Sequence, residues 1–365
     1  MVENFFFHPG IFQYDFGPSH PLKPERLQRM FSLLAPFDVP VIESEPATLE
    51  DLQRCHSAEY IEAIQAIEEA LVEGRSGEDD ILELRSRHGF WGDNPAFVGM
   101  FDSAAAYTGA TIEAARRVRD GAALAFGIGG GLHHALRSKA SGFCIYNDPA
   151  IACSILRERF SKVAYVDIDV HHGDGVQWIW YDDPSVLTCS IHEEGRTLWP
   201  GTGGVEETGA EFTSLNVPME AGTTADVWIH AFEKTIMPAL EAWKPEAIVL
   251  QMGTDTHFLD PLAHLLSNQQ AWLRSIVRVQ ELGVPLVAVG GGGYNLSTVP
   301  RMWMSAILTL ADVAFEDEIP ADLAKVAGAP FVSDHDYPYR SGGGRDHADW
   351  VIEHLQKKHI PHLKG

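Results

Sequence analysis

Cysteine is scarce in this chain of 365 residues: Cys55, Cys144, Cys153 and Cys189 are all there is, and no two form a Cys-X-X-Cys pair. That spacing excludes a disulfide framework and a thiolate-based structural zinc site, and predicts reduced, mostly buried thiols. Basic residues are few as well, 27 Lys and Arg against 51 Asp and Glu, for a net charge of −24. Nucleic acid and anionic membranes demand basic surface, so neither is an expected partner; the acidic surface attracts cationic partners or serves solubility alone. Long apolar runs are missing too. No stretch reaches the roughly 18 apolar residues of a membrane span, and Met1 to Pro9 lacks the basic start and apolar run of a signal peptide. A cytoplasmic location is therefore expected. Internal repeats and low-complexity tracts are also absent, while 45% hydrophobic content allows a large core.

What is present is a repeating alternation. Short apolar or β-branched runs occur at Asn4–Phe7, Ala123–Phe126, Val163–Val170, Val186–Ile191, Leu215–Pro218, Ala247–Met252 and Pro285–Val289. Between them Ala58–Val72, Ser103–Arg119, Pro149–Arg159, Val227–Trp243 and Ser267–Leu282 carry apolar residues at helical spacing. This order predicts one doubly wound α/β domain over residues 1–365, with a mainly parallel sheet, and surface loops at Val72–Asp80 and His88–Val98. Polar residues that look chemical follow the apolar runs. In an open parallel sheet ligands bind beyond the carboxyl ends of the strands, so these residues can converge.

The run Val163-Ala-Tyr-Val-Asp-Ile-Asp-Val-His-His-Gly-Asp-Gly175 turns polar at its end. Strand alternation puts Asp167, Asp169 and His171 on one side, and acids inside a core strand are unfavourable unless paired or metal-bound. A second apolar run leads to Asp255, a further candidate ligand; Asp260, beside Pro261 in the following loop, competes with it, and Asp255 is favoured because it follows the strand closely. An Asp-His-Asp set leaves a coordination position open, as a catalytic zinc requires, and water there is activated. The glycine-rich exit Gly127-Ile-Gly-Gly-Gly-Leu-His133-His134 lacks the Lys-Ser/Thr of a phosphate loop, and its tandem histidines fit a general base and acid. Each imidazole needs an orienting carboxylate, and Asp167 and Asp174 are available. Tyr294, after four glycines, is either a packed aromatic or a hydrogen-bond donor to an oxyanion.

Together these segments resemble the zinc-dependent histone deacetylase superfamily, including bacterial acetoin-utilisation deacetylases and acetylpolyamine hydrolases. The resemblance rests on His20-Pro-Leu-Lys-Pro-Glu-Arg26, His133-His134, Ser141-Gly-Phe-Cys-Ile-Tyr-Asn-Asp148, Asp167 to Gly175, Pro200-Gly-Thr-Gly203, Gly253-Thr-Asp255 and Gly290 to Tyr294, in the family's order over about residues 5–304. Residues 305–365 then form a helical extension. The resemblance implies an arginase/deacetylase-like domain with about eight strands flanked by helices, and zinc on Asp169, His171 and Asp255. It pairs His133 with Asp167 and His134 with Asp174, with His134 as main base and acid and Tyr294 polarising the carbonyl. It implies a structural potassium ion on Asp167, Asp169, Ser190 and main-chain oxygens of His171 and Ile191, whose charge disfavours protonation of His133.

By the same likeness Phe143 and Trp199 wall an acyl-lysine tunnel, Gly142 lets the methylene chain pass, and Asp93 grips the substrate backbone at the rim, unless it only shapes a turn. Arg26 lines an internal acetate channel or else makes a surface ion pair. Leu262 stands near the entrance, where polyamine-selective relatives can carry Glu. The implied reaction is hydrolysis of acetyl-lysine in a protein or peptide; the alternatives are an acetylpolyamine or other small-amide deacetylase, a two-manganese ureohydrolase and a non-catalytic acyl-lysine reader. Oligomeric state is not read from the sequence.

Overall fold

The computed structural model describes residues 3–363. Met1 and Val2, at the start of the segment read for a signal peptide, and Lys364 and Gly365, at the end of the extension, lie outside the described residues. The chain begins with β1 (Phe5–Phe7), α1 (Glu25–Leu34), β2 (Val41–Glu43), α2 (Leu49–Gln53), α3 (Ala58–Val72), α4 (Asp79–Arg87) and α5 (Met100–Arg119). It continues through β3 (Leu124–Gly127), α6 (Asp148–Leu156), β4 (Val163–Asp167), α7 (Asp174–Trp180), β5 (Val186–Glu193) and β6 (Ser214–Met219). The remainder is α8 (Ala225–Trp243), β7 (Ala247–Gln251), α9 (Gln269–Gln280), β8 (Leu286–Val289), α10 (Thr298–Leu310), α11 (Ala321–Ala327) and α12 (Arg345–Lys358).

All eight strands are parallel and form one sheet in the order β2-β1-β3-β8-β7-β4-β5-β6. Strands β4, β5, β6, β7 and β8 are buried along their whole length, which is why β4, β7 and β8 read as nearly continuous apolar runs rather than alternating ones. Two groups of helices flank them: α5 with α6, and the succession α8, α9, α10 and α1. Helix boundaries follow local chemistry. Ser57 caps α3 by accepting from the Tyr60 N–H at 3.2 Å, and Tyr60, Ile61, Ile64 and Ile67 form its buried stripe. Among the described residues no helix is long and apolar enough to cross a membrane. All four cysteines are free and buried, in line with the expectation from their spacing.

The chain leaves β3 and enters β4, but these strands are separated in the sheet by β8 and β7. This topological break is where an open α/β sheet forms a crevice. The loops leaving its four adjacent strands carry His133 and His134 (β3), Tyr294 (β8), Asp255 (β7), and Asp169 and His171 (β4).

Two expectations need correction. The run Val163–Val170 is not one strand: β4 ends at Asp167, and the chain bends through residues 169–171. Side chains help to keep their order, Asp167 Oδ1 accepting from Asp169 N at 3.0 Å and Asp169 Oδ1 from His171 N at 3.0 Å, while Val170 O still accepts from Glu193 N of β5 at 2.9 Å. Residues Asp79 and Asp80, expected in a loop, begin α4, where they favour the helix N-terminus electrostatically.

Candidate active site and metal centre

Asp169, His171 and Asp255 converge in the crevice, and among the described residues they are the group of His, Cys, Asp or Glu close enough to share a metal ion. His171 Nδ1 lies 3.3 Å from Asp169 Oδ1 and 3.2 Å from Asp255 Oδ2. Ligands about 2.0–2.2 Å from a tetrahedral zinc are themselves about 3.3–3.6 Å apart, so this spacing fits the ion. The other carboxylate oxygens are occupied: Asp255 Oδ1 accepts from Val170 N at 2.9 Å, and Asp169 Oδ2 from Gln251 Nε2 at 2.8 Å and Gly292 N at 2.7 Å. A Cβ on Gly292 would sit 2.2 Å from Asp255 Oδ2, so only glycine lets this loop close over the site. The competing acid Asp260 points elsewhere, taking Tyr294 N on Oδ2 at 2.8 Å and Leu262 N on Oδ1 at 3.0 Å.

Beside the triad stand the tandem histidines. His133 Nδ1 is 2.7 Å from Asp167 Oδ2, His134 Nδ1 is 2.7 Å from Asp174 Oδ1, and their Nε2 atoms are 2.9 Å apart. Burial alone would lower His133, but the charges of Asp167 and Asp169 outweigh it and raise its pKa to about 9. His134 falls well below the usual histidine range, through burial and then through the charges of His133 and His171. The two shifts run in opposite directions, and of the pair it is His134 that burial and its neighbours hold toward the neutral imidazole. Burial pushes Asp174 up to about 6. His171 would also be lowered by burial, yet hydrogen bonds and charge from Asp169 and Asp255 raise it to about 10. Burial, then the neighbouring charge of Asp255, pushes the Tyr294 phenol well above its ordinary value, so it stays a donor.

A cavity of about 430 Å³ opens onto these groups and is lined by Asp93, His134, Gly142, Phe143, His171, Trp199, Leu262 and Tyr294, with Phe16 and His20 at its mouth. Phe143 stands edge-on to Tyr294 at 5.6 Å, and Trp199 edge-on to His134 at 4.6 Å. Gly142 adopts φ +52°, and a Cβ there would lie 2.4 Å from the His134 ring and 2.5 Å from the Trp199 indole. Asp93 is exposed, and its main-chain carbonyl accepts from His20 Nε2 at 3.1 Å. A larger depression of about 610 Å³, bordered by His347 and Trp350 of α12, lies beyond the Trp199 loop and holds none of these groups.

Arg26 does not line the main cavity. It is buried and makes no surface ion pair; its Nη1 donates to Gly291 O at 2.8 Å and Gly293 O at 3.2 Å, and its guanidinium lies 5.0 Å from the Trp303 ring. It borders an internal cavity of about 20 Å³ with Tyr14 and Leu132, next to one of about 10 Å³ beneath His133 and His134. For the potassium set, β4 and β5 align Asp167 with Ser190, and Ile191 follows on β5. The Ser190 hydroxyl is paired with His192 Nδ1 at 2.8 Å.

Several supporting residues escaped the sequence reading. Gln251 closes β7, holding Asp169 and, through Oε1, the N–H of Gly253 at 2.7 Å. A buried glutamine at the end of an apolar strand was the available signal. Tyr165, two residues before Asp167 and so on the same side of β4, donates to Asp167 Oδ2 at 2.6 Å. Asp148 accepts from Gly131 N at 2.7 Å and Leu132 N at 2.8 Å, which leaves those glycine-loop donors unavailable to a phosphate. Asn94 Oδ1 accepts from Phe143 N at 3.1 Å, fixing the wall residue at its positive φ of 66°.

Comparison with known proteins agrees with this geometry. Residues 20–310 match the histone deacetylase domain. The acetoin utilization protein AcuC of Bacillus subtilis (strain 168) is 36% identical over 333 residues, covering 87% of this chain and 84% of that protein. Histone deacetylase clr6 of Schizosaccharomyces pombe is 33% identical over 329 residues, 87% of this chain and 78% of its own. An HDAC homolog from Aquifex aeolicus, 27% identical, superposes with a TM-score of 0.86 across 96% of this chain and 98% of its own. The chain belongs to the histone deacetylase family, whose hydrolases deacetylate acetylated substrates, and it has their arginase/deacetylase fold.

Proposed function

We propose that the protein is a zinc-dependent lysine deacetylase, one domain that releases acetate and free amine from acetyl-lysine side chains. The observation that carries this reading is the Asp169–His171–Asp255 triad lying beside the His134–Asp174 pair at the floor of an aromatic-walled cavity. A zinc ion on the triad would polarise the amide carbonyl and acidify a water molecule. His134, neutral and oriented by Asp174, takes the proton from the attacking water on Nε2. Tyr294 donates its O–H to the oxyanion that develops on the carbonyl, and His133, paired with Asp167, stands beside His134. His134 then returns its proton to the leaving amine nitrogen. Phe143 and Trp199 hold the methylene chain, Asp93 and Leu262 border the mouth, and Arg26 steadies the internal acetate path. Asp167, Asp169, Ser190 and the main chain of His171 and Ile191 are the proposed potassium ligands. Four free buried thiols favour a reducing, cytoplasmic setting.

The reading is tested by zinc quantification together with turnover of acetyl-lysine peptides against acetylputrescine. Zinc near one equivalent and preference for the peptides are expected; preference for acetylputrescine supports the polyamine alternative, and two manganese ions the ureohydrolase. A non-catalytic reader would lack a ligand or a base, and here both sets are complete.

Two further outcomes follow from the geometry. Gly142→Ala places a methyl between His134 and Trp199, and the displacement should lower kcat/KM on an acetyl-lysine peptide by about a hundredfold with zinc retained. Unchanged kcat/KM would show that the chain does not pass Gly142. Zinc uptake must also expel the His171 proton, because the metal-free imidazole keeps it up to about pH 10. Calorimetry in buffers of different ionisation enthalpy should show about one proton released near pH 7.5, and zinc affinity rising about tenfold per pH unit below the His171 pKa. A pH-independent affinity would mean that His171 is not a ligand.

A further inference from the structure

We propose that Asp334, outside the matched domain, is a positioning residue for the metal site: through His257 it sets the turn that carries Asp255 and, through Asp260, Tyr294. The inference rests on the zinc deacetylase reading and adds a part of the chain which that reading does not use.

Asp334 lies 24 residues past the end of the matched region, since 334 − 310 = 24, yet its side chain is only 6% exposed. One carboxylate oxygen, Oδ2, receives His257 Nε2 at 2.9 Å and the N–H of Gln269 at 2.8 Å. The other, Oδ1, receives Arg301 Nη2 at 3.4 Å. Arg301 is itself buried in α10 and holds the approach to Asp334, donating through Nη1 to Phe331 O at 3.0 Å and Val332 O at 2.8 Å. The carboxylate is therefore fixed in place before it meets the imidazole.

His257 stands two residues after Asp255, and its side chain has no exposed area. With Nε2 donating to Asp334, Nδ1 is left as the acceptor for Leu259 N at 3.1 Å. The backbone of the same residue closes the turn on both sides, its N–H donating to Thr254 O at 3.2 Å and its carbonyl accepting from Asp260 N at 2.8 Å. Asp260 in turn takes the N–H of Tyr294. Hydrogen bonds thus run from the C-terminal segment to Thr254, the residue before the third ligand, and to the backbone N–H of the oxyanion donor. Outer hydrogen bonds of this kind orient metal ligands, and losing one typically costs about ten- to a hundredfold in affinity or activity.

The test compares Asp334→Asn with Tyr337→Phe in the full chain. Tyr337 comes from the same segment, but its hydroxyl meets Leu266 O and Ala225 N, away from the Asp255 turn. Zinc release into a chelator and kcat and KM on an acetyl-lysine peptide are measured beside Tm. Asp334→Asn should speed zinc release and lower kcat, each by about tenfold or more, with KM within about twofold, while Tyr337→Phe lowers Tm alone. Changes that track Tm in both variants, or wild-type values in Asp334→Asn, overturn the proposal. Should Asp334→Asn fail to fold, His257→Gln, whose amide reproduces the donor to Asp334, should keep kcat that His257→Ala loses; equal behaviour of that pair also overturns it. A parent protein that holds zinc but turns over no acetyl-lysine would refute the function reading, and the zinc-release comparison would still decide the role of Asp334. A parent that holds no zinc refutes both.

Discussion

Alanine at Asp255 or His171 is expected to strip the metal from the folded protein and to lower kcat/KM by roughly a thousandfold or more, because a Lewis acid supplies several kcal/mol of transition-state stabilisation. The two variants reach this point differently. Removing Asp255 deletes one ligand and also orphans the buried N–H of Val170, a loss of about 1–3 kcal/mol of stability. Removing His171 leaves the buried carboxylates of Asp169 and Asp255 facing each other, and one must take a proton to relieve the repulsion. Metal analysis and circular dichroism on each variant separate ligand loss from unfolding. Asp260→Asn is the matched control: its carboxylate holds Tyr294 and Leu262, so zinc should remain while turnover falls. If Asp260→Asn loses the metal and Asp255→Ala keeps it, the ligand assignment is reversed.

The fold was legible because its strands are buried on both faces: β4 and β7 appear as unbroken apolar runs, and the acids that follow them stand out. Strand alternation picked out Asp167, Asp169 and His171 although β4 stops at Asp167; the line continues with the help of carboxylate-to-backbone bonds that the sequence does not display. β2 passed unnoticed for the opposite reason, being an exposed edge of three residues with no buried side to set a pattern. Gln251, Asp148, Asn94 and Asp334 belong to a third class. Each acts on side chains or backbone N–H groups many residues away, and even where the residue stands out, as Gln251 does at the end of an apolar strand and Asp148 at the end of the Ser141–Asp148 motif, its partner is defined only once the chain has folded. In the sequence, Asp255 and Asp260 are separated by closeness to the strand and by the family resemblance at Gly253-Thr-Asp255. Geometry distinguishes them by what their oxygens accept, Asp255 turning Oδ2 to His171 and Asp260 turning both oxygens to backbone.

Tyr294→Phe should lower kcat by roughly 10²–10³, the loss expected for one oxyanion donor, with zinc retained and Tm little changed. The substitution isolates the hydroxyl because everything that places the ring survives it. The backbone N–H of Tyr294 is held by Asp260, Gly292 N by Asp169, and the carbonyls of Gly291 and Gly293 by Arg26. The ring still packs against Phe143. Since the phenol pKa lies well above its ordinary value, wild-type Tyr294 keeps its proton throughout the working pH range, so the kcat ratio of the two proteins should be flat with pH up to that limit. A ratio that changes across neutral pH would mean that Tyr294 transfers a proton rather than donating a hydrogen bond. Near-normal turnover in the variant would remove it from the chemistry and leave it as a wall of the cavity. Arg26→Met then tests the support beneath it: the ring keeps its hydroxyl but the glycine loop loses two hydrogen bonds, so kcat should fall while KM stays near its starting value, because Phe143 and Trp199, which line the main cavity, are left in place.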